Sequence, residues 1–424
     1  MKILLISIGT RGDIAPFLAI AQQLQLAHHE VCCVFPEQFR LDAEDAGLPF
    51  KGIPIDLLSL SRSDASRLIT NGSGHFFKRL KAYWSLFNSL KATLLPMWQS
   101  EKKSIEEFRP DKIVFHPLCD YTVGWSIANG VQAIMVPIYP FSFHPSDNHS
   151  YMTTRGSKDF GVLLNRLSFS LIHHIKAKQV YKSFKQLGMP NDTAITVEEI
   201  KHHLLHKIPA RYCISPSLFE KPKEWRDHIQ IIGHREIQGR ITAALTDQLK
   251  QFLNSHQKIV FISFGSMVNN RPEQYTRMIL DVLATHQIAA IISQGMGGLQ
   301  FVQPHPEHIL FVNFIPFQAV LPKIYAIVHH GGVGSTHMGV KNGCVSFVIP
   351  HILDQHYWAE VIYKKELGPK PVPISKLNRV RFETSLLDAL HNQKYKANAE
   401  RMSRQMQHES DPNDIVSYFE QYIK

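Results

Sequence analysis

Cysteine is scarce in this chain, with 5 residues among 424, and none of the five forms a Cys-x-x-Cys pair. Such a low content excludes a disulfide-stapled scaffold, and an odd number without paired spacing predicts reduced thiols. Long apolar runs are also missing. The first apolar run of the chain, Ile3 to Ile8, is too short for the core of a signal peptide or for a membrane span. We therefore expect a cytoplasmic protein, peripheral at most to the inner face of the membrane.

Glycine and proline are few, at 23 and 24 residues, which excludes a collagen-like or low-complexity chain. Charged residues make up 19% and hydrophobic residues 44%, so the chain is globular, and 424 residues favour two domains. What the chain has in excess is positive charge, with a formal net charge of +10. That surplus is compatible with nucleic acid, an anionic membrane surface, or a phosphate-bearing substrate.

The first 35 residues predict a strand, a glycine turn, a helix and a second strand. The apolar run Lys2 to Ser7 leads to Gly9, a helical pattern starts at Ile14, and Val31 to Phe35 is the next apolar run. This order is typical of a doubly wound parallel α/β domain.

A similar unit begins at Lys258 to Phe264, which is followed by Gly265 and by a helical pattern over Pro272 to Thr285. Two such units predict an α/β protein with two Rossmann-like domains that face each other across a cleft. We place the first domain at 1–225 and the second at 226–408.

The segment from Ala326 to Gln355 carries the clearest chemical signal. An apolar strand ends at His330, and the run Gly331 to Ser335 precedes a helical pattern. Glycines let the backbone approach a ligand, and a helix N-terminus offers free N–H groups with a partial positive charge. His330, Ser335 and Thr336 add side-chain donors. We interpret the segment as a diphosphate cradle, and the alternative is an ordinary pair of helix caps. A Walker loop is absent.

Five phrases of the sequence resemble one family. HHGGVGST at 329–336, GCVSFVIP at 343–350 and DQHYWAE at 354–360 are similar to the donor-binding signature of the family 1 nucleotide-sugar glycosyltransferases with the GT-B fold. GTRGDIAP at 9–16 and GPKPVP at 368–373 resemble the sterol glucosyltransferase and glycopeptide-antibiotic glycosyltransferase branch. The resemblance covers both ends of the chain, and the middle corresponds to the variable acceptor region.

The resemblance implies a UDP-sugar co-substrate, no metal requirement, and a C-terminal helix within 409–424 that packs back on the first domain. It implies that His330, the glycine-rich run and Ser266 hold the diphosphate. Asp354 and Gln355 would bond sugar hydroxyls, and Phe314 would stack on the nucleobase. The implied donor-binding set is Gly12, Ser266, Phe314, Ile315, His330, Gly332, Gly334, Ser335, Thr336, Asp354 and Gln355. Many relatives have Gln directly after the position of Pro316, where this chain has Phe317, so the base stays open, with uridine favoured over thymidine.

Asp13 is the candidate catalytic base, because it follows the glycine turn after the first strand and projects into the cleft. The alternative is that Asp13 caps a helix that starts at Ile14, which would lower its pKa. A second candidate is His116 together with Asp120, within FHPLCD after the strand Lys112 to Phe115.

Aromatic side chains suggest where a lipophilic acceptor binds. The candidates are Phe76, Tyr83, Trp84, Phe141 and Phe143. The first three lie on an amphipathic helix with basic residues, and such a helix also fits ordinary packing on the core. The resemblance implies inverting transfer of a hexose, with glucose first, from a UDP-sugar, and these aromatics favour a lipophilic hydroxyl of a sterol, polyketide or carotenoid type as the acceptor.

A nucleotide-sugar epimerase and a nucleic-acid-binding protein are the alternatives. The positive residues are scattered and no nucleic-acid motif is present, so we expect no nucleic-acid partner. The surplus charge lies partly beside the aromatic stretch at 76–103, which favours peripheral contact with a membrane surface.

Overall fold

A computed structural model of the chain describes residues 1–55, 76–151, 156–188, 195–237, 245–409 and 412–420. The elements of the first part are β1 (Lys2–Ile6), α1 (Arg11–Leu26), β2 (Glu30–Pro36), α2 (Arg40–Asp45), β3 (Phe50–Ile53), α3 (Phe76–Phe108), β4 (Lys112–Phe115), α4 (Asp120–Asn129), β5 (Gln132–Met135), α5 (Val162–Leu187), α6 (Val197–His206), β6 (Ala210–Tyr212) and β7 (Ile229–Ile231). The second part consists of α7 (Asp247–Ser255), β8 (Ile259–Ser263), α8 (Pro272–Thr285), β9 (Ala290–Ser293), β10 (Ile309–Val312), α9 (Phe317–Val320), β11 (Ile324–His329), α10 (Val333–Lys341), β12 (Val345–Val348), α11 (Asp354–Lys364), α12 (Arg379–His391), α13 (Gln393–Gln407) and α14 (Pro412–Glu420).

The strands form two parallel sheets, which confirms the predicted fold class. The first sheet has the order β3-β2-β1-β4-β5-β6-β7 and the second has the order β10-β9-β8-β11-β12. In each sheet the strand order reverses once, between β1 and β4 in the first and between β8 and β11 in the second. In open α/β sheets this reversal opens a crevice at the carboxyl ends of the strands, where ligands bind. The topology therefore fixes two crevices.

Most predicted strands are present because their apolar runs are buried on both faces, as in all-parallel sheets. Every residue of β8 is buried, and in β1 only Lys2 is partly exposed. The strands β3 and β7 were not predicted, since β3 (FKGI) is partly exposed and gives no apolar run, and β7 has only three residues. Helix α1 starts at Arg11 rather than near Ile14, because Thr10 is its N-cap.

The division of the chain at 225/226 stays a prediction. The strand β7 follows that position and closes the first sheet. All five cysteines are buried and unpaired, as expected for reduced thiols. Within the described ranges, none of the helices combines the length and the apolar character that crossing a bilayer requires.

Helix α14 packs against α1, far away in sequence. Ile415 and Phe419 are buried in the same apolar cluster as Ile14 and Phe17. The carbonyl end of α14 accepts hydrogen bonds from two buried cations of the first sheet. Nζ of Lys112 donates to the carbonyl of Phe419, and Nε of Arg211 donates to the carbonyl of Tyr418 at 3.3 Å. Cations at the negative end of a helix dipole stabilise that end.

We predict that Phe419→Ala lowers the free energy of unfolding by about 3–5 kcal/mol, because a fully buried phenyl ring is lost and a cavity remains. Chemical denaturation followed by tryptophan fluorescence measures the change. The matched control is Ser417→Ala at an exposed position of the same helix. A loss for Phe419→Ala no larger than that of the control would contradict the packing of α14 on α1.

Candidate active site

Asp13 lies in the crevice of the first sheet, directly after β1. Gly9, which precedes it, has φ +145°, and a Cβ at Gly9 would collide with the Asp13 carboxyl group. The backbone N–H and the hydroxyl of Thr10 donate to Oδ2 of Asp13 at 2.5 and 3.0 Å. Asp13 is therefore the third residue of α1, in a capping box with Thr10, and not the N-cap itself.

His116 faces Asp13 from the neighbouring strand β4. Its Nε2 lies 3.6 Å from Oδ1 of Asp13. The backbone N–H of Leu118 donates to Nδ1 at 3.3 Å, so the neutral ring carries its proton on Nε2, towards the carboxylate. Burial lowers the pKa of His116 to about 3, which keeps the ring neutral. The separation exceeds hydrogen-bond range, so both groups retain capacity for a third oxygen.

The predicted pair of His116 with Asp120 is wrong. The carboxylate of Asp120 is fully buried and accepts bonds from Nε1 of Trp98 at 2.9 Å and Nε2 of Gln179 at 2.8 Å. It also pairs with Nζ of Lys176. These partners fix Asp120 inside the first domain, because a buried charge needs a counter-ion and hydrogen bonds. The neighbour of His116 is Asp13.

His330 occupies the crevice of the second sheet, directly after β11. Its ring lies between two glycine turns, and a Cβ at either Gly265 or Gly332 would collide with it. Burial lowers the pKa of His330 to about 4. Nδ1 of His330 and Nε2 of the neighbouring His329 and His351 are buried without a hydrogen-bond partner among the described residues. Such groups cost free energy until a ligand or water bonds them, so this cluster fits a polar ligand.

Two acidic side chains meet across the cleft. Burial raises the pKa of Asp13 to about 6. Burial, together with the charge of Asp13, also raises the pKa of Asp354, the first residue of α11, to about 7. The prediction that a capping role would lower the pKa of Asp13 is wrong, because desolvation outweighs the bonds from Thr10. Both carboxyl groups therefore titrate close to neutral pH.

The N-termini of α1 and α10 also come together. A Cβ on Gly12 would lie 3.7 Å from Cγ1 of Val333, in ordinary contact. The imidazole of His337 holds α10 in place, since its Nδ1 donates to the carbonyl of Val333 at 2.8 Å and its Nε2 accepts from the backbone N–H of Ser215, after β6, at 3.0 Å. The partial positive charge of α10 thus lies beside Asp13.

In the segment interpreted as a diphosphate cradle, Gly331 to Thr336, the residues with free space beside them are Gly334 and Ser335. A Cβ on Gly334 would meet nothing within 4 Å, and Ser335 is partly exposed. Ser266 is partly exposed in the turn after β8. Thr336 differs, because it is fully buried and its hydroxyl donates to the carbonyl of Gly332 at 2.9 Å. Its predicted contact with the donor is therefore not supported.

The side chain of Gln355 uses most of its hydrogen-bonding capacity within the protein. Its Oε1 accepts the backbone N–H groups of His351 and Ile352 at 2.8 and 3.1 Å. Its Nε2 donates to Sδ of Met267 at 3.2 Å. The side chain clamps the turn before α11, so one N–H remains for a sugar hydroxyl. Its role in sugar binding stays a prediction, and the structure supports that role less than it supports the one predicted for Asp354.

The expected nucleobase loop follows β10. Phe314 is 54% exposed and Ile315 is buried, which leaves the Ile315 backbone as its polar surface. The guanidinium of Arg11, at the start of α1, lies 4.9 Å from the Phe314 ring centroid. Phe317 packs edge-on against Phe261 at 5.8 Å. The neighbouring Gln318 donates to the carbonyl of Ile237 at 2.8 Å and so holds the segment between the sheets.

The structure does not gather the aromatic residues predicted to bind the acceptor at one site. Phe141 and Phe143 are 2% and 3% exposed and pack into the core, Phe141 against His149 and Tyr357. Their predicted contact with an acceptor is therefore not supported, because protein covers both rings. Trp84 is exposed on α3. The side chains of Phe76 and Tyr83 lie outside the described part of the structure.

Tyr139, in the loop after β5, is an aromatic side chain that the sequence also offers as part of an acceptor wall. It is partly buried and packs against the apolar clusters of the first half. Burial raises its pKa well above the usual value. Sequence reasoning missed Arg11, since nothing in its spacing indicates a reach across the cleft.

Two facing Rossmann-like sheets, with the N-terminus of a helix and an acidic pair at their crevices, define a GT-B protein. The model of the glycosyltransferase family 28 N-terminal domain matches residues 3–107. The model of the erythromycin biosynthesis protein CIII-like C-terminal domain matches residues 277–422. The chain belongs to the family 1 GT-B glycosyltransferases, which confirms the resemblance carried by its motifs.

Two plant sterol 3-beta-glucosyltransferases are similar to this chain along most of its length. The chain is 26% identical to the sterol 3-beta-glucosyltransferase UGT80B1 of Arabidopsis thaliana over 91% of this chain and 62% of the relative. It is 25% identical to UGT80A2 of the same plant over 100% of this chain and 66% of the relative. The chain thus spans just under two thirds of the length of these relatives.

Solved structures share the fold. The spinosyn forosaminyltransferase SpnP has a TM-score of 0.69 at 14% identity and covers 98% of this chain and 97% of its own. The glycosyltransferase VinC, solved in complex with DTDP, has a TM-score of 0.68 at 16% identity over 99% of this chain and 100% of its own.

The two glycines of the cradle give a matched test. We predict that Gly334→Ala keeps or raises the unfolding midpoint, since its Cβ meets no protein atom and alanine favours the helix by about 1 kcal/mol, yet weakens UDP binding. Gly332→Ala displaces the His330 ring and lowers both stability and UDP affinity. Calorimetric titration with UDP and thermal unfolding measure the two effects. Unchanged UDP affinity in Gly334→Ala would place the diphosphate elsewhere.

Proposed function

We propose that the protein is an inverting glycosyltransferase that moves a hexose, glucose as the first candidate, from a UDP-sugar to a hydroxyl group of a lipophilic acceptor. The observation that carries the proposal is the position of Asp13. Its carboxyl group has a pKa raised to about 6 and lies beside both a neutral His116 and the N-terminus of α10. A base that titrates near neutral pH, next to a cradle for a leaving diphosphate, fits single-displacement glycosyl transfer.

In this reaction Asp13 accepts the proton of the acceptor hydroxyl as its oxygen attacks the anomeric carbon. The bond from that carbon to the diphosphate oxygen breaks, and the electron pair leaves with UDP. His116 offers its Nε2 proton on the side of Oδ1 and orients the carboxylate or the incoming oxygen. The bonds from Thr10 hold Oδ2, which leaves Oδ1 as the basic atom.

The departing diphosphate gains negative charge, and the groups that face it must stabilise that charge. The free N–H groups of α10 do so through the helix dipole, with Ser335 and Ser266 as hydroxyl donors. The buried Nδ1 of His330, which has no partner among the described residues, gains one in the phosphate. Asp354 accepts hydrogen bonds from sugar hydroxyls, in a partly buried site where each bond counts more than in water.

The identities of the donor and the acceptor are proposed from the relatives and from the predicted nucleobase loop. The sterol 3-beta-glucosyltransferase relatives favour glucose and a sterol-like acceptor. The exposed ring of Phe314 is available to stack on a base, and the Ile315 backbone is available to read its edge. Because Phe317 packs on Phe261 instead of offering an amide, base selection falls to the backbone, and we favour uridine over thymidine.

We predict that the protein, offered UDP-glucose and a panel of sterols and polyketides, adds one hexose to an acceptor, as read by mass spectrometry. Asp13→Asn should lower turnover by roughly 10²–10⁴-fold, the usual contribution of a positioned base, while UDP binding is kept. Asp247→Asn is the matched control, because Asp247 also lies in the first turn of a helix and is fully exposed.

Near-normal turnover in Asp13→Asn would show that Asp13 only caps α1. Conversion of the UDP-sugar to an isomer, without transfer to any acceptor, would favour a nucleotide-sugar epimerase and contradict the proposal.

The pKa shifts predict how activity depends on pH. The rate constant kcat/KM should rise with pH around about 6, where Asp13 loses its proton, and reach a plateau above about 7, where Asp354 is also ionised. Steady-state rates between pH 5 and 9 measure the profile. Full activity at pH 5 would contradict a base with a raised pKa.

Stability should follow the opposite course. The folded pKa of Asp13 lies above its ordinary value of 3.8, so its protonated form stabilises the fold below that value. That contribution, roughly 3 kcal/mol, is lost as pH rises through about 6. Asp13→Asn should therefore be stabilised relative to the parent at pH 8 and not at pH 4, as measured by chemical denaturation.

A further inference from the structure

Helix α5 carries a row of exposed apolar side chains. Leu163 is 81% exposed, Leu167 61% and Leu171 60%. The same surface includes Phe160, Leu164 and Ile175, each about half exposed or more. Soluble monomers rarely leave so many large aliphatic residues exposed together, and a contiguous patch of this kind marks an interaction site.

The row has a fixed helical register that changes character halfway along α5. The positions 164, 167, 171, 175, 178, 182 and 185 follow one another at steps of three or four, so they share one face. The first four are Leu, Leu, Leu and Ile, and the last three are Lys178, Lys182 and Lys185. We call these seven residues the α5 face. The opposite face is buried, with Phe169, His173 and Phe184 in the core.

The charge of α5 is of one sign. Its 26 residues include no Asp or Glu, whereas Arg166, Lys176 and the three lysines of the α5 face are basic. No ion pair involves those three lysines within the part of the chain that is described, and all three are exposed. An apolar half followed by a cationic half matches the depth profile of a bilayer surface, with hydrocarbon below and anionic headgroups above.

A neighbouring helix extends the same kind of surface. Helix α5 packs against α3, which exposes Trp84, Leu90 and Leu95. An indole ring is favoured at the boundary between headgroups and acyl chains. The expectation from sequence placed membrane contact on the stretch at 76–103, and the exposed side chains shift its centre to α5.

We propose that the α5 face docks the protein on the surface of an anionic bilayer. Leu164, Leu167, Leu171 and Ile175 enter the boundary between headgroups and acyl chains, and the three lysines bind lipid phosphates. The helix enters the interface at a tilt, with its apolar half deeper than its cationic half, and does not span the bilayer. This inference does not depend on the proposed transfer reaction, since it rests on surface residues outside the site.

Vesicle co-sedimentation of the full chain tests the proposal. We expect the protein to bind vesicles of phosphatidylcholine with 30% phosphatidylserine and to bind pure phosphatidylcholine at least about tenfold more weakly. Leu167→Ser with Leu171→Ser should lower binding to both kinds of vesicle by roughly tenfold or more. The triple change of Lys178, Lys182 and Lys185 to Gln should remove the preference for phosphatidylserine and leave the weaker binding.

Matched controls distinguish binding through the α5 face from nonspecific binding by other exposed apolar or basic residues. Leu41→Ser with Val380→Ser removes two apolar side chains that are each 71% exposed elsewhere. A change of Lys103, Lys364 and Lys394 to Gln removes the same charge at other exposed sites. Both controls should bind like the parent. Thermal unfolding of each variant should also match the parent, because all changed residues are exposed.

Three results would overturn the proposal. The first is no binding of the parent to either vesicle. The second is an equal loss of binding in the controls. The third is a dimer in sedimentation velocity that Leu167→Ser with Leu171→Ser dissociates while vesicle binding is unchanged, which would assign the α5 face to a second copy of the chain.

Discussion

The burial of two carboxyl groups, Asp13 and Asp354, in one cleft is the constraint on which the candidate site depends. Two carboxyl groups with raised pKa values are held in one cleft, an arrangement that costs stability at neutral pH. It persists because the two halves are joined by apolar packing elsewhere. Trp358 and Ile362 of α11 are buried in the same cluster as Phe141 and Phe219 of the first half. The helix that presents Asp354 is thus anchored by its opposite side.

A buried joint beside this cluster fixes the distance between Asp13 and the start of α10. The neutral ring of His337 bonds the start of α10 to the segment after β6, and its edge-on contact with Trp358 at 4.8 Å connects it to the apolar cluster. The cation–π contact between Arg11 and Phe314 also joins the two halves, and it differs because the Phe314 ring is 54% exposed. Buried and exposed contacts thus both link the halves around the cleft.

Sequence reasoning reached the fold and the centre of the site because both follow from local order. Strand, glycine turn and helix identify a parallel sheet, and the residues after central strands identify its crevice, which is how Asp13 and His330 were found. The partner of His116 was misassigned because proximity along the chain favoured Asp120, whereas the sheet places β4 next to β1. Phe141 and Phe143 were misread because an aromatic loop looks the same whether it covers a ligand or fills a core. Burial also reverses the pKa expected for a capping aspartate, and burial is a property of the whole fold.

The packing of α14 on α1 has a consequence for how the chain folds during its synthesis. The apolar side of α1 is completed by Phe419, some four hundred residues later in the chain. Ribosomes release the first sheet long before that residue exists, so an early domain waits with an uncovered groove. That groove closes only after the second sheet has been made. Asp13 therefore lies on a helix whose outer support is made after the second sheet, and chaperones that shield apolar grooves have a long period in which to bind it.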